Sequence, residues 1–200
     1  MEAKPAELRT SFIFLVHFHY DHTMLGMFLP DFLKCYPPHN LIMISDGDPA
    51  RYDYYDVTYG KHLKKGNTGA LWVERFMRRF LDTGAEYLIK VDTDTVFHRP
   101  IRSLPKADYF GTRSPAIERG SFIQGGIIGF SRSICERIVS SEILLQHRWK
   151  AYHYQATDFI IRDVMYEFSV IPKMWNEVCS RWKNPAVNRD YALTHPRTKK

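Results

Sequence analysis

Three groups of residues in this 200-residue chain have types and spacings that suit chemistry. The first is HFHYDH, in which His17, His19, Asp21 and His22 follow the apolar run 12–16. Imidazoles and a carboxylate crowded in this way are donors that zinc takes. The second is DTD, where Asp92 and Asp94 leave the apolar run 87–91 directly. Carboxylates gathered on a basic protein call for a cation among them, and oxygen donors suit Mg2+ or Mn2+ bridging to phosphates. The third is SDGD, where Asp46 and Asp48 follow the apolar run 41–44.

The elements that must position these groups are legible from hydrophobic pattern. Runs 12–16, 41–44, 87–91 and 122–130 are short, apolar and bounded by polar residues, as strands covered on both faces are. Val73, Phe76, Met77, Phe80 and Leu81 keep helical spacing opposite Glu74, Arg75, Arg78, Arg79 and Asp82, and Gly84 suits the helix C-terminus. Ser133 and Glu136 have capping-box spacing ahead of Ile138 and Val139. Ile160, Ile161, Val164, Met165 and Phe168 form another stripe just after Asp158. Strands alternating with helices predict an α/β chain whose mostly parallel sheet is flanked by helices. One domain is expected, with a core of about residues 11–182 and a basic, irregular tail over 183–200. Segments 106–120 and 144–155 read as irregular. In such sheets ligands bind beyond the carboxyl ends of the strands, where His19, Tyr20, Asp46, Asp92 and Asp94 fall.

Composition narrows the partners. Lysine and arginine outnumber aspartate and glutamate by 28 to 22, and this surplus favours acidic ligands such as phosphorylated small molecules. Nucleic acid is not expected, because RYDYYDV interleaves aspartates with its tyrosines. No apolar run approaches the ~20 residues of a membrane helix, so any membrane contact is expected to be peripheral. MEAKPAELRT does not read as a signal peptide, and Cys35, Cys135 and Cys179 form no C-x-x-C, which points to a cytoplasmic protein.

Four stretches, GAEYLIKVDTDTVFHRPI, KGNTGALWVERFMRRFLDTGAEY, LIMISDGDP and SFIQGGIIGFSRS, together resemble the nucleotide-sugar glycosyltransferases of the GT-A fold. The resemblance covers roughly residues 11 to 170 with the motifs in order. It implies a Rossmann-like GT-A sheet, a nucleotide-diphosphate sugar as donor, and a glycan or other hydroxyl compound as acceptor. It implies Mn2+ or Mg2+ bound directly by Asp94, with Asp92 reaching the ribose or a metal-bound water, and a further ligand late in the chain at His195. Asp46 would hold the base with help from His19 or Tyr20, and Asn67 would sit near the nucleotide. Gly125 and Gly126 would let the sugar approach the backbone, and Gln124 would bind a sugar hydroxyl. Asp158 matches the position of the general base of inverting enzymes, although Thr157 replaces the first of the two acids found there. On this reading Asp94 serves the ligand alone, and its loss is expected to leave the melting temperature of the ligand-free protein nearly unchanged.

Two alternatives accompany this expectation. HFHYDH resembles the metal motif of metallo-β-lactamase-like hydrolases, which hold two zinc ions, here through His17, His19, Asp21 and His22. Only sixteen residues precede His17, however, and His39, His62 and His98 lack the G-H-T-like surroundings of that family's later histidine. A non-catalytic, nucleotide-binding GT-A scaffold is the other.

Overall fold

Phe12–Phe18 forms β1, whose side chains alternate between two cores because successive residues of a strand face opposite ways. Phe12, Phe14, Val16 and Phe18 pack to one side, Leu15 to the other. The computed structural model describes residues 11–18, 22–45, 56–59, 68–114, 122–146, 148–149, 157–180 and 190–195. Further strands are β2 (Leu41–Ser45), β3 (Asp56–Tyr59), β4 (Tyr87–Val91), β5 (Val96–Phe97) and β6 (Tyr109–Ser114). β7 (Phe122–Ser131), β8 (Lys173–Met174), β9 (Val178–Ser180) and β10 (Leu193–His195) complete the set. The helices are α1 (His22–Cys35), α2 (Thr68–Leu81), α3 (Arg132–Ser140) and α4 (Thr157–Glu167).

The main sheet has seven strands in the order β3-β2-β1-β4-β7-β6-β8. β3, β2, β1 and β4 run parallel, while β7 is antiparallel to both β4 and β6. The chain is therefore α/β, as its alternating pattern predicts. Helices α2, α3 and α4 cover one face, with Phe76, Phe80, Ile134 and Ile161 in that core. Helix α1 covers the other together with a small sheet ordered β5-β10-β9, through Phe28, Phe32, Phe97 and Leu193. Phe14 meets Phe32 and Phe97 edge-on at 5.5 and 5.3 Å between ring centroids. No helix among the described residues is long and apolar enough to cross a membrane.

Several expectations need correction. Helix α3 is capped by Ser131, whose side chain accepts from the Ile134 N–H at 3.2 Å, and not by Ser133. Ser131 ends β7 with extended backbone, the conformation an N-cap requires. Segment 106–120 contains β6, whose pairing with β7 fixes Tyr109, Phe110 and Thr112 in the core. Within 183–200, expected to be irregular, Leu193–His195 is a buried strand. Its pairing with both β5 and β9 overrides the flanking proline and basic residues.

Glu177 pins the loop after β5. Its carboxylate accepts from Arg99 Nη1 at 2.7 Å, from the Arg102 and Ser103 backbone N–H groups, and from Ser103 Oγ. Burial alone would raise its pKa, but these donors hold it below the ordinary glutamate range. The stabilisation is present above that range and is lost as pH falls through the lowered value. Glu177→Ala is expected to cost about 1.5–3 kcal/mol at pH 7, the worth of hydrogen bonds to a charged group. The gap from wild type should close in strongly acidic urea titrations.

Candidate functional site

In an α/β sheet the crevice for ligands opens where the strand order reverses. Here that place lies between β1, whose chain continues to β2 on one side, and β4, its neighbour on the other. Asp92 leaves the carboxyl end of β4 with its N–H donated to Gly126 O at 3.0 Å, and Thr95 N bonds back to Asp92 O. This turn places Asp94 beside Asp92 before the chain enters β5. Antiparallel pairing of Thr194 with Val96 then carries His195 back alongside the turn.

The three side chains converge. His195 Nε2 lies 2.9 Å from Asp94 Oδ1 and 3.3 Å from Asp92 Oδ2. One ligand atom from each lies within 4.8 Å of the others. The imidazole is buried, whereas the Asp92 and Asp94 side chains keep 35% and 25% of their surface exposed, so the group opens on its carboxylate side. Two carboxylates and an imidazole are suitable donors for Mn2+ or Mg2+. Neighbouring ligands on an octahedral ion with bonds of about 2.1 Å stand roughly 3 Å apart, close to the two separations between His195 and the carboxylates. The residues present therefore fit a divalent metal.

Electrostatics bind the trio in its metal-free form. Burial disfavours charge on His195, but its short ion-pair contacts with Asp92 and Asp94 raise its pKa to about 9. Burial likewise opposes ionisation of Asp92, yet Lys90 and His195 bring it down to about 2. Lys90 Nζ donates to Asp92 Oδ1 and, at 2.7 Å, to Gly125 O. Its ammonium also lies 5.6 Å from the centre of the Trp72 ring. One Asp92 oxygen is thus taken by Lys90 while the other faces His195.

Gly125 and Gly126 join this group to Asp158. Between Gly111 and Arg113 on β6, the partner register on β7 runs from Ile128 back to Ile123, so β7 is irregular where the glycines stand. Gly125 N–H donates to Asp158 Oδ2 at 2.8 Å. A Cβ on Gly125 would lie 1.9 Å from Asp158 Oδ1, and one on Gly126 would lie 1.9 Å from His195 Nδ1. The room these glycines leave is filled by the carboxylate and the imidazole. Burial and repulsion from Asp92 raise the Asp158 pKa, against the opposing pull of Lys90. One residue before Gly125, the buried Oε1 of Gln124 has no hydrogen-bond partner among the described residues. Gly126→Ala is expected to displace His195 and abolish Mn2+ binding in a calorimetric titration. Gly125→Ala should displace Asp158 and leave that binding in place.

The structure thus gathers Asp92, Asp94, Gln124, Gly125, Gly126, Asp158 and His195 around one end of β4 and β7. His19, Tyr20, Asp46 and Asn67 lie outside the described residues. Of the HFHYDH residues, His17 meets the Trp72 ring edge-on at 5.1 Å, and the side chains of His19, Asp21 and His22 are outside the description. Sequence reasoning overlooked Lys90, although a single cation inside the apolar run YLIKV is itself a signal. It also overlooked Ser180, whose Oγ lies 3.1 Å from His195 Nδ1 and which no sequence pattern marks. No protein-family model matches this chain, and no curated protein matches it.

Proposed function

We propose that the chain is a metal-dependent glycosyltransferase of the GT-A type, moving a sugar from a nucleoside diphosphate donor to an acceptor hydroxyl with inversion. The observation that carries this reading is the convergence of Asp92, Asp94 and His195 at the carboxyl end of β4, with the Asp158 carboxylate held on the neighbouring Gly125. When bound, a divalent metal neutralises the charge that develops on the departing diphosphate. Asp94 and His195 would hold it, with Asp92 offering the one oxygen that Lys90 leaves available. Gln124 Oε1 accepts a hydrogen bond from a hydroxyl of the bound sugar, a donor that no described residue supplies there. Asp158 accepts the proton of the acceptor hydroxyl as its oxygen attacks the anomeric carbon. The bond from that carbon to the diphosphate breaks, and its electron pair leaves with the nucleotide.

Uridine or guanosine diphosphate sugars are expected to raise the thermal stability of the protein only when Mn2+ is present. At ~100 times its dissociation constant the donor should add about 2.7 kcal/mol. Equal shifts with Mn2+ and with chelator would sink the metal-bridged model.

A further inference from the structure

The side of His195 that faces away from the carboxylates is as closely held as the side that faces them. Its Nδ1 lies 3.1 Å from Ser180 Oγ, and Ser180 is fully buried. Ser180 belongs to β9, an edge strand of the small sheet, paired with β10 in the register His195 to Ser180. The Val178 carbonyl and the Ser180 N–H, two residues apart on that strand, therefore point out along the same edge. One side chain of the main sheet meets both. Thr112 Oγ1 accepts from Ser180 N at 2.8 Å and donates to Val178 O at 3.3 Å. Thr112 is itself buried, on β6 at the register shift against β7. A hydroxyl serves here because it donates and accepts at a single atom, which an isosteric valine cannot do.

We propose that Ser180 and Thr112 are positioning residues for His195, aiming its Nε2 at the point where Asp92 and Asp94 meet. The inference rests on the metal-dependent reading of that site. An imidazole that ligates through Nε2 carries its hydrogen on Nδ1, and the partner of Nδ1 fixes both that tautomer and the ring's orientation. Ser180 Oγ is that partner. Thr112 acts one step further out, by tying β9 to the main sheet and so setting where β10 delivers the ring relative to the end of β4. The ring also occupies the space that a Cβ on Gly126 would fill, so it lies against that backbone as well.

Mn2+ titration of the metal-stripped full chain, followed by the electron paramagnetic resonance signal of the free ion, tests this without donor or acceptor. Ser180→Ala and Thr112→Val should each weaken Mn2+ binding by about 10–100-fold, the effect of losing an outer-shell partner. Thr112→Ser, which keeps the hydroxyl, should restore binding to near the wild-type level. A hydroxyl with a merely structural role would lower the melting temperature and leave the Mn2+ dissociation constant unmoved. That result overturns the inference while the proposed function stands. Absence of Mn2+ binding by the wild-type chain overturns both. Ser180→Ala adds no bulk, so it carries the test if Thr112→Val fails to fold.

Discussion

Asp158→Asn is expected to slow sugar transfer by about 10²–10⁴-fold, the usual worth of a general base. Donor affinity should change little, because the base acts on the acceptor proton in the transition state and not on the bound donor. The fold should also hold. Asparagine is nearly isosteric, and its carbonyl oxygen keeps an acceptor for the Gly125 N–H now bonded to Asp158 Oδ2 at 2.8 Å. The environment suits the role as well. Burial and the neighbouring Asp92 raise the carboxyl's pKa, and a more basic carboxylate is a stronger proton acceptor. Turnover and donor affinity measured side by side decide the matter. Unchanged turnover would remove Asp158 from the mechanism and favour retention of configuration, in which the departing phosphate itself takes the proton.

Asp158 also shows what a sequence makes visible. Its helix announces itself through Ile160, Ile161, Val164 and Met165, all buried, and the aspartate stands in the first turn where the helix dipole favours it. The parallel strands were equally legible, since β1, β2 and β4 are mostly buried from both faces and read as short, largely apolar runs. Asp92 and Asp94 could be placed at a strand end for the same reason. Helix α1 was not legible. Gly26 and Pro30 interrupt HTMLGMFLPDFLKC, and only packing of Leu25, Phe28 and Phe32 against β1 and β5 overrides their cost. Strands of two or three residues, such as β5, β8, β9 and β10, carry too few positions for alternation to show. That is why a metal-ligand role for His195 was suggested only by a family resemblance, and why Ser180 and Thr112 escaped notice. Their partners are separated by 15 and 68 residues of chain, and no local pattern encodes such pairings.

Asp94→Ala is expected to abolish the Mn2+-dependent stabilisation by donor, and the structure adds a second effect that the sequence did not foresee. Asp94 already has a partner within the protein, because its Oδ1 lies 2.9 Å from the buried Nε2 of His195. Its removal should therefore destabilise the metal-free protein too. An ion pair with one partly exposed partner contributes on the order of 1 kcal/mol, so the loss should be of that size. The pH dependence identifies the partner. The His195 pKa is raised to about 9, so the stabilisation it shares with Asp92 and Asp94 is complete below the ordinary histidine range and is lost as pH rises through about 9. The Asp92 carboxylate remains ionised down to about 2, so its pairing with His195 persists through the mildly acidic range. Urea titrations of the metal-free proteins at pH 6 and pH 10 should thus show a gap between wild type and Asp94→Ala at the lower pH that narrows at the higher. A gap that is the same at both would mean that Asp94 supports the fold through something other than the His195 imidazolium. With Mn2+ in place of the proton the dependence reverses, because His195 must be neutral to ligate, and wild type should then gain over Asp94→Ala as pH rises from 6.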